Sequence, residues 1–118
     1  METIEVKLTK EDLIDTIKKY YKEKEGKEVE PKVRTYKDES VYGDTIYMSE
    51  VVIPFEIDLG ITKTTYEQSL SEDVVKEILS NYIKNVELNK IYMGSNGISL
   101  FVTPKDKLIR KLINIQNN

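Results

Sequence analysis

The side chains able to do chemistry in this 118-residue chain are carboxylates, lysines, tyrosines, hydroxyls, amides and two arginines, Arg34 and Arg110; histidine, cysteine, tryptophan and alanine are absent. Histidine is the one side chain that titrates unaided near neutral pH, and with cysteine it builds most transition-metal sites and nucleophile-base pairs. Their absence favours binding over catalysis. Familiar catalytic spacings are missing too: no Walker loop, no GxGxxG, no G-x-S-x-G and no metal-spaced cluster occurs.

Carboxylates alone leave two arrangements. Asp38, Glu39 and Asp44 could gather round a hard cation in a loop, although their spacing lacks the EF-hand order and a solvated acidic loop reads equally well. Glu56 and Asp58 alternate onto one face of an extended run, as a hydrolase pair or as two solvated surface acids. Ser95 beside Gly94 could be read as an exposed nucleophile, but only a lysine or carboxylate could activate it. The expectation is therefore no catalytic residue, no metal and no cofactor.

Recognition groups are better supplied. Eight tyrosines accompany two phenylalanines, a balance that suits a surface needing rings with a polar handle, although partly buried tyrosines would give the same count. Tyr36, Tyr42, Tyr47, Tyr66 and Tyr92 fall on expected strands or the loops between them. Arg110 has Asp106 and Asn114 at i−4 and i+4, which allows either a surface ion pair or a planar fork for phosphate, assisted by the ring of Tyr82 and the amide of Asn96. Arg34 shares that ambiguity and carries Tyr36 on its own face. The candidate ligand-binding set is Tyr82, Arg110, Asn96, Arg34 and Tyr36.

The elements that must hold these groups can be read from periodicity. Ile4, Val6 and Leu8 alternate with Glu5 and Lys7 as a half-buried strand over residues 1–9. Thr9 then caps a helix whose Leu13, Ile14, Ile17, Tyr20 and Tyr21 recur at helical spacing until Gly26. Residues 29–36 read as a second strand starting near Pro31, and residues 37–44 as a loop. From Thr45 a long extended run carries Val51, Ile53, Phe55, Ile57 and Leu59 on one parity; Pro54 inside it predicts a bulge or a sheet edge. That run could pack wholly within the molecule or leave an edge that pairs across a dimer axis. Residues 61–66 form a short strand, and Ser69 with Glu72 has capping-box spacing before the stripe of Val74, Val75, Ile78, Leu79, Tyr82 and Ile83. Residues 86–93 and 98–103 flank Gly94-Ser95-Asn96-Gly97 as a hairpin, with the Asn-Gly pair supplying the turn. Thr103 and Pro104 predict the cap and first turn of a third helix through Leu108, Ile109, Leu112 and Ile113.

The order β-α-β-β-(β)-α-β-β-α implies a single α+β domain over residues 1–118, with an antiparallel or mixed sheet and helices mainly on one face. A hydrophobic content of 39% beside 33% charged residues fits a folded globular chain, and a net charge of −3 argues against a DNA partner. No apolar run reaches membrane-spanning length and no leader pattern precedes the first strand, which together point to a cytoplasmic protein without a membrane partner. Abundant Lys, Ile, Asn and Tyr with no Ala is the imprint of AT-rich coding, which lowers the weight of any one missing residue type.

The aromatic, arginine and asparagine set in a small α+β chain resembles phage-encoded anti-defence proteins, and among them the Thoeris anti-defence family that sequesters cyclic ADP-ribose-type signals. The positions matching that family's ring and arginine would be Tyr82 and Arg110, with Asn96 beside them. The resemblance implies a non-enzymatic homo-oligomeric sponge in the host cytosol, binding a nucleotide-derived small molecule in pockets between subunits. The alternative is a protein-protein inhibitor of anti-CRISPR type, whose acidic, tyrosine-rich sheet face meets a basic host defence protein. A concave pocket marks the first reading; a broad flat face of Tyr and Glu marks the second. An enzyme working with carboxylates alone would show two acids converging in a cleft.

Overall fold

The computed structural model describes residues 3–39, 42–43, 45–94 and 97–105. The chain enters through β1 (Ile4–Leu8), after which Thr9 keeps an extended backbone while its hydroxyl accepts the Asp12 amide at 3.0 Å. That bond satisfies one of the orphan donors of α1 (Lys10–Glu25). The helix ends at Gly26, whose φ of 65° is the left-handed turn glycine takes without a Cβ clash, and Lys27 N–H reaches back to the Tyr21 carbonyl at 3.2 Å. Next come β2 (Lys32–Glu39), β3 (Thr45–Asp58), β4 (Lys63–Leu70), α2 (Glu72–Ser80), β5 (Val86–Gly94) and β6 (Gly97–Pro104). Through β6 this is the order the sequence predicts, and the result is a single-domain α+β fold.

All strand pairs are antiparallel, in the order β1-β6-β5-β3-β2, with β4 also paired to β3. The two halves of β3 have different neighbours. Residues 45–52 pair with β2, residues 51–58 with β4, and Met48 meets Gly94 of β5. Because Val51 pairs with both Val33 and Leu70, β2 and β4 lie on opposite sides of β3, and among the described residues β4 is the one strand partner of residues 53–58.

Parity separates the faces. Val33, Val51, Ile53, Leu70, Leu88, Ile91, Met93, Ile98, Leu100 and Val102 point inward, where Leu13 and Ile17 of α1 and Val75, Ile78 and Leu79 of α2 complete the core. The outer face carries Lys7, Arg34, Tyr36, Met48, Glu50, Tyr92 and Ser99, and neither helix crosses it.

Three local expectations are corrected by pairing. Ser69 does not cap α2: it remains in β4, its hydroxyl donating to Glu50 Oε2 at 2.9 Å, and Ser71 takes the cap by accepting the Val74 amide at 3.3 Å. Thr103 and Pro104 do not start a helix, because they pair with Glu87 and Val86, and the buried Thr103 hydroxyl accepts from Asn89 Nδ2 at 2.6 Å. The polar segment after Tyr36 stays extended to Glu39, since the β2–β3 ladder continues to Glu39↔Thr45. At Pro54 the sheet-edge alternative holds and the bulge does not: register runs through Pro54↔Glu67, in the half of β3 that has one partner among the described strands. The sheet's irregularity instead falls between Leu88 and Lys90. The expected third helix beyond Lys105 lies outside the described residues, as do Ser95 and Asn96.

Denaturant unfolding tests these assignments. Replacement of fully buried Ile53 by Ala costs about 2–5 kcal/mol, and Ser71→Ala costs about 1 kcal/mol as a lost cap. Ile61→Ala, at a site 98% exposed, changes stability by less than about 0.5 kcal/mol.

Candidate functional site

The expected site residues fall on opposite layers. Tyr82 follows α2 and joins it to α1: its hydroxyl donates to Glu23 Oε2 at 2.9 Å and Lys19 Nζ stands 5.1 Å from its ring centroid. Partial burial, followed by the adjacent Glu23 carboxylate, raises the Tyr82 phenol above its ordinary value. Arg34 and Tyr36 lie together on the outer sheet face, as their spacing predicts, with the sheet between them and Tyr82. Arg110 and Asn96 lie outside the described residues. Hollows lined by Lys7, Leu8 and Gly97, by Lys18, Lys22 and Val29, and by Ser80, Ile83 and Lys105 open to solvent; Arg34, Tyr36 and Tyr82 line none of the three.

Arg34 is already engaged. Its Nε donates to Glu50 Oε1 at 2.7 Å and its Nη1 to Glu67 Oε2 at 2.8 Å, so one guanidinium ties β2, β3 and β4 together. The hydrogen bond to Glu50 raises the guanidinium's pKa, and the same bond, helped by the Ser69 hydroxyl, holds the Glu50 carboxyl below its ordinary value. A second network crosses β1 and β6: Lys7 Nζ meets Glu5 Oε1 at 2.8 Å and Ser99 Oγ at 2.9 Å, and Ser99 donates to the same Glu5 oxygen. Lys7, then Ser99, lower the Glu5 carboxyl.

The carboxylates named as catalytic candidates are likewise spoken for. Glu56 and Asp58 do share a face, but Glu56 faces Lys63 at 3.5 Å and Asp58 Oδ1 accepts the Gly60 amide at 2.8 Å. Asp38 and Glu39 are strand residues, and Asp44 lies outside the described residues. Among the described residues, no group of three or more His, Cys, Asp or Glu side chains is placed to hold a metal ion. None of their helices is long and apolar enough to cross a membrane.

The tyrosines do not make one patch. Tyr47 lies under Lys37 and Tyr66 stacks on Phe55 at 5.4 Å, both on the inner parity, while Tyr42 sits at the β2–β3 turn. Tyr36 and Tyr92 belong to the outer face. Tyr36, Met48 and Gly94 form one row across β2, β3 and β5, and the Tyr92 ring lies over Gly94, where an added Cβ would be 2.8 Å from Tyr92 Cε1. Strand spacing of about 4.8 Å puts the two ends of that row about 10 Å apart. Tyr36 is 41% and Tyr92 48% exposed, and Met48 between them is half-buried. Sequence reasoning named Tyr92 without placing it and missed Met48, Glu50 and Glu67. Strand parity could have matched each to its face, but not to its neighbours.

Acid titration should expose the two carboxylate networks. A carboxyl whose folded pKa lies below its unfolded one, about 4.3 for Glu, contributes stability that is complete above the unfolded value and lost as pH falls through the folded one. The Glu5→Gln/Glu50→Gln variant should therefore be less stable than wild type at pH 7, with the gap closing as pH falls below the ordinary carboxylate range in urea melts. No family model, curated protein or solved structure matches this chain.

Proposed function

We propose that this chain is a non-enzymatic binding protein that covers a surface of another protein with its outer sheet face, in the manner of an anti-CRISPR inhibitor. The observation that carries this reading is the Tyr36–Met48–Tyr92 row, a strip of two exposed rings about a half-buried thioether on a face that neither α1 nor α2 covers. Tyr and Met are enriched at interface centres, Tyr because it offers large amphipathic contact area at small entropic cost and Met because its thioether is deformable and polarizable. Arg34, Glu50, Glu67, Glu5 and Lys7 flank the strip in ion pairs that are complete before any partner arrives. Such a rim fixes side-chain positions and leaves little unbalanced charge, so recognition rests on shape and apolar contact.

This refines the kind of partner. An acidic face would steer a basic protein over long range, with strong salt dependence. A face on which Arg34, Lys7 and Lys63 offset all but one of the charges of Glu5, Glu50, Glu56 and Glu67 suits a partner with an exposed apolar or aromatic patch instead.

Paired baits test the reading: the wild-type chain and the Tyr36→Ala/Tyr92→Ala variant, with photo-crosslinkers placed at Met48 or, as control, at Lys22 on α1. A partner should crosslink from position 48 and not from 22, bind the double variant at least about 30-fold more weakly, and lose less than about threefold affinity between 0.1 and 0.5 M salt. Heat on titrating cyclic nucleotides into the wild-type protein, unchanged by the double variant, would move the assignment to nucleotide sequestration.

A further inference from the structure

Beyond Val52, β3 leaves β2 and continues with β4 as a two-stranded ribbon, and the molecule measures 66 × 42 × 19 Å. The ribbon turns at Gly60, whose φ of 83° suits the first central position of a primed hairpin turn, closed by the Leu59 amide donating to the Thr62 carbonyl at 2.8 Å. Every residue of β4 except Leu70 is exposed, and neither helix packs along the ribbon.

Its two faces differ in kind. The outer parity carries Glu56, Asp58, Lys63 and Glu67, whereas the inner parity carries Phe55, Ile57 and Leu59 opposite Tyr66, Thr64 and Thr62, without one charged group. Ile57 is 39%, Leu59 59% and Tyr66 45% exposed, in a chain where 33% of residues are charged. This inner parity is the same one that α1 and α2 cover in the body.

We propose that the ribbon's inner face packs on the same face of a second copy about a two-fold axis. An isologous contact sets each residue near its own counterpart, so a charge there would be opposed by itself; a face with none is compatible with self-packing. Extension of the sheet edge to edge is the less suitable route. The unpartnered stretch of β3 contains Pro54, which has no N–H to offer an incoming strand. A ribbon about 20 Å long and about 10 Å wide supplies only part of the roughly 800 Å² per partner of a standard interface, so the dimer is weak. The contact is separate from the Tyr36–Met48–Tyr92 face.

Sedimentation equilibrium from about 10 to 500 μM, a range suited to weak association, should show mass rising toward a dimer for the wild-type chain. The Ile57→Lys/Tyr66→Lys variant should remain monomeric with unchanged circular dichroism. Because the chain has no cysteine, Thr64→Cys on the inner parity and Thr65→Cys on the outer one give a second readout. A bis-maleimide spanning about 10 Å, the separation of packed sheets, should link T64C into dimers several-fold faster than T65C. A wild-type monomer at every concentration, self-association untouched by the lysine pair, or equal linking of the two cysteines overturns the proposal, and the first result leaves the ribbon to a different protein. Tyr36→Ala/Tyr92→Ala must keep the wild-type sedimentation profile, so loss of partner binding and loss of self-association are read independently.

Discussion

The architecture depends on the hydrogen-bond demand of one long strand. Each residue of an extended chain directs its N–H and C=O to one side, and its neighbours direct theirs to the other, so a buried strand needs partners on both. Across its first half β3 has β2 on one side, while on the other β5 meets it at Met48 and β4 takes over from Val51. That change of partner lets the sheet curl around the core beneath α1 and α2, and it sends the second half of β3 outward with β4 alone. Pro54 fits where it stands because one side of that segment has no strand to receive a donor.

Two surfaces of unlike chemistry follow from this path. On the outer face, polar groups meet across strands: Arg34 reaches Glu50 and Glu67, and the Lys7–Glu5 pair of β1 reaches Ser99 of β6. Exposed ion pairs of this kind contribute little to stability singly, but a guanidinium shared by two carboxylates on three strands restrains their relative positions. The tyrosine strip therefore sits on a face whose flanks are held in place. The ribbon's inner face shows the opposite solution, stacking Phe55 on Tyr66 beside exposed aliphatics and carrying no charge. A polar chain can thus keep two apolar surfaces apart by parity alone.

Much of the framework was legible in the residues. Thr9 and Gly26 bound α1 because their signals are local: a hydroxyl three residues from an amide, and a glycine where left-handed backbone is needed. Alternation in residues 4–8 and 51–57 identified strands, and the glycines at 94 and 97 close the β5–β6 ladder. Failures came where two local signals competed. Ser69 and Ser71 both have cap chemistry, but ladder pairing holds Ser69 as far as its bond to Glu50; Thr103-Pro104 reads as a helix start until Glu87 and Val86 claim it as strand. Tertiary pairing outweighs a cap worth about 1 kcal/mol.

The sequence by itself determined which residues share a face, since alternation with period 2 places Arg34 with Tyr36 and Phe55 with Ile57 whatever the strands' neighbours. It also left a chain rich in tyrosine and short of the groups used for most catalysis. Only the tertiary structure decided which faces meet. Register and strand order brought Glu67 to Arg34 from 33 positions away, laid Tyr92 beside the Tyr36–Met48 row, and put Tyr82 behind the sheet with Glu23. The physical reason is that adjacency across a sheet is set by long-range backbone pairing and burial of a common core, which period and local propensity do not encode.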